Sequence, residues 1–286
     1  MNNFDLFIIG GGPAGISAAL YAKRAGVSVC VVHNGIGSLR KAEKIDNYYG
    51  FSGSVNGTKL YQDGLEQARK MGIEVVEDEV VGIGYTGTFL IKGKTDEYES
   101  RALLIATGSK RTTPKINNFT DFEGKGVSYC AVCDGFFYRG KNAAVLGSGD
   151  YALAEAEELK HVASSVTILT DGEPSVTDFG EFTVITDKIA SLKGEERLGE
   201  VEFVNGTTLP VSGLFVAIGV AGATDFAKKL GAVTKGAAIV TDENGRTNLP
   251  GLFAAGDCTG GLMQVSIAVS KGASAGLAAV EFIRQK

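Results

Sequence analysis

The chain has 286 residues, 44% of them hydrophobic, with 40 glycines, four cysteines and a formal net charge of −5. That length suits two moderate domains or one large one, and the glycine supply suits a nucleotide-binding α/β protein with many tight turns. The acidic balance excludes a generally basic nucleic-acid binder but permits local basic patches at Lys23-Arg24, Arg40-Lys41 with Lys44, and Lys110-Arg111. No signal-peptide pattern precedes the first strand and no uninterrupted apolar run reaches membrane-spanning length. The expectation is a cytoplasmic protein with neither a nucleic-acid nor a membrane partner.

In chain order, Phe4 to Ile9 reads as a short apolar strand. It runs into Gly10-Gly11-Gly12-Pro13-Ala14-Gly15 and a helical stretch from Ile16 to Ala25, the order that a Rossmann unit requires. Gly10 permits the turn, Gly12 lets a pyrophosphate approach the backbone, and Gly15 lets helix and strand pack closely. Phosphates there sit on the helix N-terminus, where free N–H groups and the dipole favour negative charge. The next strand ends at His33, where an acidic residue often holds an adenosine ribose, so the ribose contact is left unassigned. Leu103 to Gly108 is a buried strand ending in the small-residue turn Thr107-Gly108.

The run Tyr129-Cys130-Ala131-Val132-Cys133-Asp134-Gly135 follows. In a reducing compartment a lone C-x-x-C is a metal half-site or a redox pair. Zinc needs four ligands, and Cys30, Cys258, His33 and His161 include no second close-spaced pair, so no metal is expected. Cys30 and Cys258 read as small buried hydrophobes, and His161 as surface. A cysteine opening a helix is helped toward the thiolate, and the two-residue gap allows an exchange-competent disulfide. Asp134 serves equally well as a proton shuttle to the departing thiolate or as an N-terminal helix charge.

A second nucleotide unit comes next. Asn142 to Leu146 reads as a strand, Gly147-Ser148-Gly149-Asp150-Tyr151-Ala152 imitates the phosphate turn, and Leu153 to His161 is helical. After the strand Val166 to Leu169, an NADPH site needs arginines for the 2′-phosphate, but the chain offers Thr170-Asp171-Gly172-Glu173. Two carboxylates there repel a phosphate by an order of a few kcal/mol when partly buried. Tyr151 sets a ring beside the turn. Asp171 lies about where an acid grips the ribose 2′-hydroxyl of NAD, which keeps NADH open as a donor. Leu214 to Gly219 and Leu252 to Asp257 are further buried strands, the latter ending in Gly256-Asp257, and Gln264 to Ile283 is helical.

These motifs together resemble the low-molecular-weight thioredoxin reductases over almost the whole chain. The resemblance implies an α/β fold of two Rossmann-like, three-layer ββα-type domains, the second inserted into the first. Residues 1–109 and 214–286 would form the FAD domain, and 110–213 the redox-disulfide domain with a degenerate NAD(P)H-type fold. It implies one FAD per chain, held by Gly10, Gly12, Pro13, Ala14, Gly15, Asn47, Thr107, Gly108, Gly256, Asp257 and Gln264. Met263 stands where the family usually has arginine. It also implies a homodimer, and a catalytic set of Cys130, Cys133 and Asp134, with Cys133 facing the flavin and Cys130 attacking thioredoxin.

The departure at the second turn, with an insert shorter than in NADPH-dependent relatives, is more similar to the ferredoxin-dependent flavin thioredoxin reductases. NADPH is then not expected, and the partners are thioredoxin and ferredoxin, with Arg40, Lys41 and Lys44 as docking candidates for an acidic donor. A ferredoxin at about −400 mV against thioredoxin at about −270 mV leaves roughly 6 kcal/mol for two electrons. The alternatives are NADH- or NADPH-dependent reduction, a thiol oxidase, a diflavin oxidoreductase and a non-catalytic flavin scaffold.

Overall fold

The computed structural model describes residues 2–108, 114–129, 131–218, 222–236 and 238–285, the side chains of residues 41, 132 and 133 excepted. The chain divides into two compact units, Met1–Arg111 with Gly222–Lys286, and Thr112–Ala221. Among the described residues the helices are α1 (Pro13–Arg24), α2 (Gly57–Lys70), α3 (Ala131–Asp134), α4 (Asp150–Lys160), α5 (Ala223–Lys229) and α6 (Val265–Arg284). The strands of the first segment are β1 (Asn2–Ile9), β2 (Val29–His33), β3 (Glu74–Glu77), β4 (Val80–Tyr85), β5 (Phe89–Gly93) and β6 (Glu97–Ile105). The inserted unit carries β7 (Val127–Ser128), β8 (Asn142–Leu146), β9 (Ser165–Leu169), β10 (Thr183–Ile185), β11 (Ile189–Gly194), β12 (Leu198–Phe203), β13 (Thr208–Pro210) and β14 (Gly213–Val216). The returning segment adds β15 (Thr234–Lys235), β16 (Ala238–Ile239) and β17 (Leu252–Ala254).

The first unit is built on a sheet in the order β3-β2-β1-β6-β5-β4. Strand β6 changes partner along its length, pairing antiparallel with β5 through Ser100 and parallel with β17 from Leu103. The parallel core strands are covered on their faces and therefore apolar throughout, as Leu6 to Ile9 and Ala102 to Ile105 are. Burying them brings the ends of β1, β6 and β17 together beside the first glycine turn.

Helix α6 is long and apolar enough to cross a bilayer by composition, yet it spends that apolarity inside this unit. Ala268, Ala275, Ala278, Ala279, Val280 and Ile283 are buried in the same core as Ala14, Ala18 and Ala22 of α1. A Cβ at Gly272 would collide with the Ala14 carbonyl, and one at Gly276 would stand 2.6 Å from the Ala18 oxygen. The two helices lie backbone against backbone, which only glycine permits.

The second unit repeats the plan on a smaller scale, with a sheet ordered β10-β9-β8-β14-β7 and an antiparallel sheet β11-β12-β13. Its core gathers Phe119, Phe122, Leu146, Leu169, Leu192, Val201 and Leu214. Here one boundary differs from the sequence expectation. Leu214 was expected to reopen the first domain, but β14 pairs parallel with β8 and β7, with Leu214 opposite Ala144 and Val127. The first unit resumes only at Gly222. Both units close with the same kind of apolar strand, so composition alone does not say which sheet that strand joins.

Gly272→Val drives a branched side chain into the α1 backbone. Overpacking of this kind costs about 3 kcal/mol, and the variant is expected to melt roughly 5–10 °C below the wild type by circular dichroism.

Candidate functional site

The first glycine turn is built for an anion. Gly10 has φ +119°, and a side chain there would strike the carbonyl of Ala106 at the end of β6. A Cβ on Gly15 would strike the carbonyl of Gly10, so α1 begins directly on the turn. Gly12 caps α1 in an extended conformation, Pro13 opens the helix, and the first turn holds no acidic residue and no side-chain cap. Its N–H groups are thus left to a ligand. Beyond Gly12 a Cβ would meet nothing within 4 Å, which leaves room for a phosphate.

Thr107, Gly108, Gly256 and Asp257 lie beside this turn. Gly256 (φ +83°) sits against α1, where a Cβ would lie 2.8 Å from that of Ala14. Asp257 follows it, and burial pushes its carboxyl up against the opposing pull of Lys271. Thr107 follows Ala106, and its buried hydroxyl has no hydrogen-bond partner, as expected where a ligand completes the site. Gly108 comes next with φ +76°. Asn47 Nδ2 donates to Gln264 Oε1 at 2.9 Å, joining two candidates 217 positions apart. An open helix N-terminus, an orphaned hydroxyl and a convergent Asn–Gln pair fit FAD.

His33 stands at the end of β2, where a ribose acid is usual, and its ring is held from within the unit. It is 5% exposed, its Nδ1 lies 2.8 Å from the Tyr61 hydroxyl, and burial holds its pKa below the ordinary value. Burial likewise pushes the thiols of Cys30 and Cys258 up to about 12, which makes them inert interior groups. His161 is exposed. Among the described residues no cluster of metal-ligating side chains occurs.

In the second unit, Cys130 lies outside the described residues, and Cys133 lies on α3 with its side chain likewise outside them. Their neighbours are well defined. Asp134 Oδ2 accepts the Ser128 hydroxyl at 2.6 Å. The Ala131 N–H donates to Glu155 Oε2 on α4 at 2.7 Å. Phe136 and Phe137 follow directly and are 67% and 65% exposed, with the Arg139 guanidinium 5.1 Å above the Phe136 ring. Sequence reasoning did not single out Ser128, Glu155 or this aromatic pair. Only the adjacent phenylalanines carry a signal, as large apolar residues directly after a polar turn.

The second glycine turn is closed where the first is open. The Val176 N–H donates to the Ser148 carbonyl at 2.9 Å, and a Cβ on Gly149 would stand 3.3 Å from Val176 Cγ2. Asp150 puts a carboxylate in the first turn of α4, where it accepts the Thr177 hydroxyl at 2.6 Å. Asp171 adopts φ +54°, and its Oδ1 accepts the Ile189 N–H at 2.7 Å. Tyr151 is 2% exposed; the cover over the turn comes from Val176 and Thr177.

The family model described as pyridine nucleotide-disulphide oxidoreductase matches residues 4–272. A thioredoxin reductase of Streptomyces coelicolor is 33% identical, over 98% of this chain and 94% of its own length. The crystal structure of the atypical thioredoxin reductase of Desulfovibrio vulgaris Hildenborough superposes with a TM-score of 0.93 at 41% identity, covering 99% of this chain and 98% of that one. A ferredoxin-flavin thioredoxin reductase of Clostridium acetobutylicum superposes at 0.70 with 31% identity, each chain fully covered.

Gly12→Asp separates cradle from fold. The new side chain has space and caps α1, which adds about 0.3 kcal/mol to the apoprotein. It also places a carboxylate where the cofactor phosphates belong, so FAD affinity is expected to fall by about a hundredfold or more, read by flavin fluorescence titration.

Proposed function

Since this chain belongs to the pyridine nucleotide-disulphide oxidoreductase family and is a flavin-dependent, thioredoxin reductase-like disulfide oxidoreductase, we propose that it draws its electrons from reduced ferredoxin rather than from a nicotinamide. The covered second turn carries this reading. A dinucleotide needs the N-terminus of α4 bare, and the chain fills that place with the Asp150 carboxylate, the Thr177 hydroxyl and Val176. Asp171 is committed to the Ile189 amide, which removes the acid that would grip the ribose of NADH. The Clostridium acetobutylicum relative, named for ferredoxin and flavin, supports the same donor. Arg40 and Lys44 are exposed and offer positive charge to an acidic donor.

FAD, when bound in the first unit, supplies the redox chemistry that joins the donor to the Cys130–Cys133 pair. The protein residues do the rest. The Cys130 thiolate attacks the thioredoxin disulfide to form a mixed disulfide. Cys133 then attacks the Cys130 sulfur, so that dithiol thioredoxin leaves and the intramolecular disulfide re-forms. Asp134, held by Ser128, relays the proton that the attacking Cys133 thiol gives up to the departing thiolate. Phe136 and Phe137 give thioredoxin an apolar landing beside the pair. The resemblance alone carries the homodimer and the single FAD per chain.

Anaerobic reduction of the holoprotein tests the donor. Flavin absorbance is expected to bleach with reduced ferredoxin and to return on adding oxidised thioredoxin, while NADPH and NADH leave it unchanged. Rapid bleaching by either nicotinamide overturns the proposal. Asp134→Asn is expected to slow thioredoxin reduction by on the order of 10²-fold, the usual weight of a general acid, measured by thiol release from thioredoxin at constant ferredoxin.

A further inference from the structure

We propose that Glu155 is the positioning residue of the redox turn: its carboxylate holds the amide that follows Cys130, so that the turn keeps one backbone geometry in its disulfide and dithiol states. Glu155 is 1% exposed and sits on α4 among the buried residues Tyr151, Ala152, Ala156 and Leu159. A carboxylate in such surroundings is costly unless hydrogen bonds hold it, and one such bond is from the Ala131 N–H at 2.7 Å. Ala131 opens α3, a helix of four residues, where the N–H has no partner within the helix. Glu155 supplies one from α4.

The other end of α3 is held in the same manner. Asp134 closes the helix and is tied to Ser128 on β7. Each cysteine therefore immediately precedes a tethered residue, Cys130 before Ala131 and Cys133 before Asp134. The two tethers set how often one sulfur meets the other, which is an effective concentration and governs how readily the disulfide closes. Releasing Ala131 lowers that concentration and makes the disulfide easier to reduce.

This inference rests on the disulfide-reductase reading but not on the identity of the electron donor, and its test uses neither ferredoxin nor nicotinamide. The holoprotein is equilibrated anaerobically with mixtures of reduced and oxidised dithiothreitol, quenched by alkylation and analysed by mass at residues 130 and 133. In the exchange the Cys130–Cys133 bond breaks, the cyclic dithiothreitol disulfide forms, and two electrons with two protons pass to the protein thiols. Glu155→Met keeps the volume without the acceptor and is expected to shift the equilibrium about tenfold toward the dithiol, or about 30 mV for a two-electron couple. Glu155→Gln keeps an acceptor oxygen and is expected to stay within about twofold of the wild type. An unchanged Glu155→Met, or a Glu155→Gln that moves as far, overturns the proposal. Hydrogen exchange on the wild type gives a measurement free of folding effects. The Ala131 amide is expected to be protected in both redox states, and fast exchange in either state overturns the proposal.

Discussion

Backbone-to-backbone contact around α1 is the constraint on which the flavin-type unit depends. Gly10 presses on the end of β6, Gly15 lies against Gly10, and Gly272 and Gly276 bring α6 onto α1. None of these approaches tolerates a Cβ. Together they bring three separate stretches of chain, near residues 10, 107 and 257, to one helix N-terminus. An α6 held off by even one side chain would carry Gln264 away from Asn47, and the polar pair that joins the two ends of the chain would open. The interior of this unit is accordingly rich in alanine and glycine, because close approach is worth more here than apolar volume.

The two units begin from the same strand-turn-helix arrangement and differ in what meets the helix dipole. At α1 no acidic side chain answers the N-terminal charge. At α4 Asp150 answers it from within the chain. Anionic groups are favoured at both places for the same electrostatic reason, so an internal carboxylate satisfies α4 without any ligand. The loss of a phosphate site that the proposed function entails thus needs no damage to the fold, and the β8-α4-β9 framework remains.

Much of this was legible in sequence. Glycine spacing located both turns, and the apolar runs located the parallel strands. What escaped was decided by contacts between distant residues. The partner of β14 depends on register with β8, which a run of apolar residues does not encode. The hydrogen bond between His33 and Tyr61 spans 28 positions and leaves no mark in the sequence. Tyr151 stands out beside the turn in sequence, while the contacts made over it by Val176 and Thr177, inconspicuous residues in a polar loop, do not. Asp171 showed the spacing of a ribose ligand, but its carboxylate turns to the Ile189 amide, and that choice follows from a left-handed backbone no motif reports.

On the proposed ferredoxin reading, the cover over α4 also changes what evolution or an engineer would have to do to give this chain a nicotinamide. Asp150 and Thr177 belong to the same molecule, and a tethered group competes at an effective concentration in the millimolar range or above. A dissolved dinucleotide meets a rival that never diffuses away. Installing arginines for a 2′-phosphate would supply attraction while leaving the seat taken. The route back runs through deletion or redirection of the segment around Val176, a change in loop path that single substitutions at the binding surface do not reach.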